Sequence, residues 1–181
     1  MKKFCRWILN LINWKVVGTE NMIPFRQYVV IVASHTSNWD FPLGIVVRTA
    51  FDLQKIKFLG KSSLFKWPHG FLFRWLGGFP VERSKRSNLV QDCIELFKKN
   101  ADLCIIISPE GTRKKVEKFK TGYYYIAKGA NIPIFRCKFD YFQKIVSFDV
   151  PFFVGNDAAE DLKVIEDYFR GTPGKIPALS F

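Results

Sequence analysis

Hydrophobic positions fall into short uninterrupted runs separated by stretches with helical spacing. Tyr28-Val29-Val30-Ile31-Val32-Ala33 is apolar throughout and rich in β-branched residues, the pattern of a strand covered on both faces. Residues 103–107 repeat that pattern, and residues 14–17, 56–59, 132–139 and 144–150 predict further extended segments. Between them the period lengthens. Over 87–100, Leu89, Val90, Cys93, Ile94 and Phe97 share one side, with Lys98 and Lys99 at the end where helix carbonyls carry partial negative charge. Helices are also predicted over 41–51, 121–129 and 157–169; the first accepts Pro42 in its opening turn and has Ser37, Asn38 or Asp40 as cap. Pro68 and Gly70 break residues 62–76 into short helical or irregular pieces, and the Gly/Pro-rich stretch 171–181 reads as an irregular tail. Strands alternating with helices predict an α/β fold in a single domain. A central, mostly parallel or mixed sheet is flanked by helices, with ligands collecting at loops that leave the C-terminal ends of strands.

The first fourteen residues, MKKFCRWILNLINW, follow another rule. Phe4, Trp7, Ile8, Leu11 and Ile12 lie at the i, i+3, i+4, i+7 and i+8 positions of one stripe, with Lys2, Lys3 and Arg6 beside it. Polar interruptions and the lack of a small-residue cleavage site argue against a signal peptide, and the run is too short to span a bilayer. Residues 1–14 read either as an amphipathic interfacial helix or as a helix packed on the protein's own core.

Composition sharpens the first of these. The chain has 181 residues, and its 28 Lys+Arg against 16 Asp+Glu give a net charge of +12, alongside nineteen Phe, six Tyr and five Trp. A partner that is both anionic and apolar fits these numbers, and an acidic membrane surface fits better than duplex nucleic acid. Cys5, Cys93, Cys104 and Cys137 form no CxxC pair and have only His35 and His69 as companions, so no metal site and no disulfide scaffold are expected.

Ser34-His35-Thr36-Ser37-Asn38-Trp39-Asp40 places a histidine directly after a predicted buried strand, with a carboxylate five residues on. On one continuous helix these two side chains would point about 140° apart, but a loop curling into a helix start brings them together. A carboxylate on one imidazole nitrogen fixes the tautomer and leaves the other free to take a proton from an alcohol. The plainer reading is that Asp40 caps the following helix and His35 is a turn residue.

Three blocks change the weight of these readings: the His-x4-Asp box at 35–40, Gly77-Gly78-Phe79-Pro80-Val81-Glu82-Arg83, and Ser108-Pro109-Glu110-Gly111-Thr112-Arg113. In order and spacing they resemble the motifs of the glycerolipid acyltransferase family, whose members include 1-acylglycerol-3-phosphate acyltransferases. Ile132-Pro133-Ile134 is similar to its last, apolar motif.

The resemblance implies a glycerolphosphate-acyltransferase-like fold, with residues 15–170 as the acyltransferase domain. His35 would be the general base and Asp40 its orienting partner. Arg83 would bind the acceptor's phosphate, Glu110, Gly111 and Thr112 would form an acceptor-side loop, and Arg113 would add a second positive charge. The implied reaction moves a fatty acyl chain from acyl-CoA or acyl-carrier protein to the free hydroxyl of a lysophospholipid, foremost 1-acyl-sn-glycerol-3-phosphate. No cofactor is required, and the co-substrate is the thioester. The expected location is peripheral, on the cytoplasmic face of the cell membrane. Rival readings are the same transfer onto another lipid or glycan hydroxyl, or a noncatalytic basic protein binding membrane or nucleic acid. Departures from the family pattern are Ser108 in place of an aromatic, Lys114 in place of a small residue and Arg136 in place of a second proline. The aromatic segments 65–79 and 123–125 are candidates for lining an acyl groove or facing lipid, or for plain core.

Overall fold

The computed structural model describes residues 1–81 and 89–181. In chain order the elements are α1 (Lys2–Leu11), β1 (Lys15–Val17), β2 (Tyr28–Ala33), α2 (Asp40–Ala50), β3 (Ile56–Lys61), α3 (Gly70–Trp75), β4 (Gly78–Val81), α4 (Leu89–Lys99), β5 (Cys104–Ile107), α5 (Gly122–Ala130), β6 (Ile134–Asp140), β7 (Ile145–Phe148) and α6 (Ala158–Phe169). Short 3-10 turns at Thr19–Met22, Ser62–Phe65 and Pro177–Leu179 join them.

The strands form one sheet in the order β1-β7-β6-β2-β5-β3-β4. All neighbouring pairs are parallel except β6 with β7, which are antiparallel. This is the mostly parallel α/β domain predicted. The most apolar run, β2, lies mid-sheet between β5 and β6, with Val30 opposite Ile106 on one side and Phe135 on the other. A strand flanked on both edges and covered on both faces needs apolar side chains at every position, which is why β2 shows no alternation.

Successive side chains then divide between two cores. Tyr28 and Val30 pack with Leu9 of α1 and Leu43 and Val47 of α2. Val29, Ile31 and Ala33 pack on the opposite face with Phe97 of α4, Tyr124 and Ile126 of α5 and Phe169 of α6. Tyr123 and Tyr124 are therefore core residues rather than groove lining. Arg136, the residue standing where the family pattern has proline, lies within β6 with its guanidinium 2.5 Å from Asp149 and 4.4 Å from the centre of the Tyr168 ring. It braces β6 against α6.

The N-terminal helix packs on α2, but not through its predicted stripe. Leu9 and the partly buried Cys5 face α2, while Phe4, Trp7, Leu11 and Ile12 remain exposed. Two of the three cations beside the stripe have partners within the fold. Arg6 Nε donates to the carbonyl of Ala50 and its guanidinium covers the Phe51 ring, and Lys2 pairs with Asp52. Among the described residues, no helix is long and apolar enough to cross a membrane.

Candidate active site

At its end β2 passes through residues 34–39 into α2, the turn that carries the histidine. Asp40 occupies the first turn of α2 and is buried. Its Oδ2 accepts the backbone N–H of Ser37 at 2.9 Å, closing the turn, and sits 2.8 Å from His35 Nδ1. Asp40 therefore closes the turn and holds the imidazole, but it does not cap α2: it is already the first helical residue, Trp39 stands at the cap position and no side chain bonds the opening amides, so the expected cap at Ser37, Asn38 or Asp40 is not formed. The His35 side chain keeps 22% of its surface exposed while that of Asp40 keeps 4%, so the pair is anchored on the inside and open at the imidazole.

The other carboxylate oxygen has a partner that the sequence motifs do not mark. Tyr141, just beyond β6, donates its hydroxyl to Asp40 Oδ1 at 2.6 Å. Its ring is braced edge-on by Trp14, 4.9 Å between centroids. Burial pushes the Asp40 carboxyl upward, but the bonds from His35, Tyr141 and Ser37 outweigh it and hold it below the ordinary carboxylate range. Burial and the bond to Asp40 push the Tyr141 hydroxyl well above the usual tyrosine range, so it stays a donor.

The neighbouring strand β5 delivers Glu110. This buried carboxylate accepts the backbone N–H of His35 at 2.7 Å and lies 3.4 Å from the Ser108 hydroxyl, which donates to it. Burial raises the Glu110 carboxyl, moderated by the His35 amide. Ser108, where the family pattern has an aromatic, thus contributes a donor inside the loop. Gly111 then turns the chain at φ +63°, a left-handed conformation, and the Lys120 side chain crosses the space a Cβ would occupy. Thr112 Oγ1 accepts the N–H of Lys114, and Thr112 and Arg113 are exposed.

The turn is held from below by the C-terminal segment. Ser34 donates its hydroxyl to the Thr172 carbonyl at 3.1 Å and accepts the Phe181 N–H at 3.2 Å. Thr36 Oγ1 accepts the Ile176 N–H at 3.0 Å. Residues 171–181 are irregular apart from one 3-10 turn, as their composition suggests, but they are built into the support of the His35 loop.

Of the residues singled out from sequence, the structure brings together His35, Asp40 and Glu110 and carries Gly111, Thr112 and Arg113 on the adjoining loop. Arg83 lies outside the described residues. His69 precedes α3 at its cap position and is exposed. No sequence motif marks Tyr141, Ser34, Thr36 or Thr172. For Tyr141 a signal existed in principle, since the loop after a strand adjoining β2 must emerge beside His35, but the strand order needed to use it is not written in the local sequence.

This mostly parallel α/β domain matches a known family. Residues 13–139 fit the acyltransferase family, and the chain belongs to it. A curated relative, a 1-acyl-sn-glycerol-3-phosphate acyltransferase of Chlamydomonas reinhardtii, is 31% identical over 127 residues. That alignment covers 66% of this chain and 36% of the relative, so the chain spans little more than a third of the relative's length. Among solved structures, the 1-acyl-sn-glycerophosphate acyltransferase PlsC of Thermotoga maritima shares the fold with a TM-score of 0.63 and 23% identity, over 92% of this chain and 74% of that one.

Proposed function

We propose that the protein is an O-acyltransferase that moves a fatty acyl chain from acyl-CoA or acyl-carrier protein to the hydroxyl of a lysophospholipid, with 1-acyl-sn-glycerol-3-phosphate as the foremost acceptor and phosphatidic acid as product. The observation that carries this reading is His35 Nδ1 at 2.8 Å from the buried Asp40 carboxylate, with the imidazole partly open to solvent. With Nδ1–H held by Asp40, Nε2 carries the lone pair. It takes the acceptor's hydroxyl proton as that oxygen attacks the thioester carbonyl carbon. The tetrahedral adduct collapses with cleavage of the C–S bond, and the departing sulfur receives the proton from Nε2. Asp40 stabilises the imidazolium formed between these steps.

Direct transfer suits three of the four cysteines: Cys93, Cys104 and Cys137 are buried and their thiols raised by that burial, so none of the three is poised as an acyl carrier. Arg83 and Arg113 are assigned to the acceptor phosphate, and Gly111 and Thr112 to the acceptor-side loop. Glu110 serves that loop first by fixing the His35 backbone. The outward-facing Phe4, Trp7 and Leu11 of α1 support a peripheral position on a membrane, which this reading assigns to the cytoplasmic face.

The test is transfer of a labelled acyl chain by purified protein, with products identified by mass spectrometry across a panel of lyso-acceptors. Wild type should acylate 1-acyl-sn-glycerol-3-phosphate. Folded His35→Ala should lose activity by roughly 10²- to 10⁴-fold. Full transfer by that variant would overturn the mechanism, and preference for a different hydroxyl would redirect the acceptor.

A further inference from the structure

We infer that the aromatic face around α3 is a second membrane-contact surface, seating on an anionic bilayer together with α1. This inference rests on the peripheral reading of the protein and adds to it a particular surface and an orientation.

The placement follows from strand alternation. Ile56 of β3 belongs to the core beneath α1 and α2, and Leu59 packs on the opposite one, so Phe58 and Gly60 project to the α1/α2 side. Phe58 confirms this by meeting Phe41 of α2 edge-on, with ring centres 5.1 Å apart. Phe65 closes over Gly60 so tightly that an added Cβ there would lie 2.8 Å from its ring. The Ser62–Phe65 turn is thereby anchored to the α1/α2 side, and α3 is attached to it through the Phe65–Phe73 ring contact, 6.1 Å between centres.

With Phe65 and Phe73 engaged in that anchor, Trp67, Phe71 and Trp75 turn outward. Trp67 is 92% exposed, Phe71 74% and Trp75 66%. On the opposite side of the sheet, the exposed large apolar residues of α4, α5 and α6 among those described are Tyr125 and Val164. Apart from Tyr125, the exposed aromatics on the helices and on the segment leading into α3 thus lie on the side that also carries Phe4 and Trp7 of α1, while Phe142 and Phe153 are exposed on the loops after β6 and β7.

Charge decides what covers it. Residues 53–81 contain five Lys or Arg and no Asp or Glu. Lys66 and Arg74 are exposed among the aromatics. Tryptophan with interspersed cations favours the headgroup boundary, where the ring has an apolar side and a wet side and the cation meets lipid phosphate. A second copy of this chain would set these cations against their own kind. On the bilayer, α1 and α3 would form two separate footings on the face of the sheet that also carries α2, the helix entered from the His35 loop.

The experiment is cosedimentation of the whole protein with vesicles of phosphatidylglycerol and phosphatidylcholine, and with phosphatidylcholine alone. Trp67→Ser/Phe71→Ser/Trp75→Ser is compared with Phe4→Ser/Trp7→Ser/Leu11→Ser, and thermal melts check folding. The inference expects each triple variant to weaken binding to the anionic vesicles by roughly tenfold or more. It also expects Lys66→Glu to weaken binding to anionic vesicles and not to neutral ones. Trp67→Ser alone, at so exposed a position, retains the fold and should lower binding by a few-fold. If the α1 variant loses binding and the α3 variant binds as wild type does, this inference fails and the peripheral reading stands; if wild type does not bind, both fail. Dimerisation without lipid, abolished by the α3 variant, would make the face a self-interface and overturn the inference. Unchanged vesicle binding with lost transfer of a soluble acyl donor would make it an acyl-binding surface and overturn it equally.

Discussion

Tyr141 and His35 bind opposite oxygens of one carboxylate: the tyrosine hydroxyl lies 2.6 Å from Asp40 Oδ1 and His35 Nδ1 lies 2.8 Å from Asp40 Oδ2. The strand after which Tyr141 emerges, β6, is parallel to β2, so the two loops leave the sheet side by side. Tyr141 is accordingly a positioning residue, acting on the reaction through Asp40.

Tyr141→Phe keeps the ring against Trp14 and deletes only the donor. A hydrogen bond to a charged group contributes about 1.5–3 kcal/mol, of which the His35 orientation receives a part. The expected result is a fall in kcat of roughly tenfold with KM little changed. A purely structural role would instead lower the melting temperature and leave kcat of the folded fraction intact.

The same network fixes the acid limb of stability. The folded Asp40 carboxyl is depressed, so its contribution is complete above the unfolded value near about 4 and is lost as pH falls through the lower folded value. Thermal melts of wild type and Asp40→Asn between pH 7 and pH 3 should show a gap that narrows as pH falls. Glu110, raised by burial, contributes the opposite slope, with stability falling as pH rises from its unfolded toward its folded value, and this largely cancels in the comparison. Tyr141→Phe removes one of the bonds depressing Asp40, so in that variant the loss begins at higher pH. In activity, Asp40→Asn should cost about 10²- to 10⁴-fold, because the amide no longer stabilises the imidazolium.

How much of this was legible beforehand differs by level. Strands β2 and β5 announce themselves because burial on both faces demands continuous apolar residues, and His35 and Asp40 are local enough for their pairing to follow from a loop entering a helix. Glu110 was found through its motif, but its contact with the His35 amide depends on β5 lying beside β2, a fact of strand order. The outward direction of Phe4 and Trp7 was equally undecidable, since an amphipathic stripe looks the same whether it faces lipid or core. Here Cys5 and Leu9 supply a second, narrower face that does the packing.

Ser34 gives the support of the histidine loop a direct test. Its buried hydroxyl joins the Thr172 carbonyl and the Phe181 amide, and Ser34→Ala leaves both without that partner. The expected cost is about 1–3 kcal/mol, a fall in melting temperature of roughly 2–12 °C for a domain of this size. Thr36→Val removes only the acceptor for Ile176 and should cost less. Hydrogen exchange should report faster exchange at the Phe181 amide in the first variant and at the Ile176 amide in the second. Unchanged protection at both would show that the C-terminal segment is held without these hydroxyls.

Gly111 separates two reasons for a glycine. Its φ of +63° disfavours any L side chain, and Lys120 atoms lie 2.5–3.0 Å from where a Cβ would stand. Gly171, at φ +73°, has nothing within 4 Å of that position and reports the backbone cost alone. That cost is about 1–2 kcal/mol for alanine. Because the crowding atoms at Gly111 belong to the far end of an exposed, flexible lysine, the side chain can swing away. Gly111→Ala and Gly171→Ala should therefore lower stability by similar amounts, within about 0.5 kcal/mol in denaturant melts. Gly111→Asn should be milder than Gly111→Ala, because asparagine enters the left-handed region more readily. Rescue of Gly111→Ala by Lys120→Ala would instead show that the loop is held by steric contact with the lysine stem, and that backbone conformation is the lesser cause.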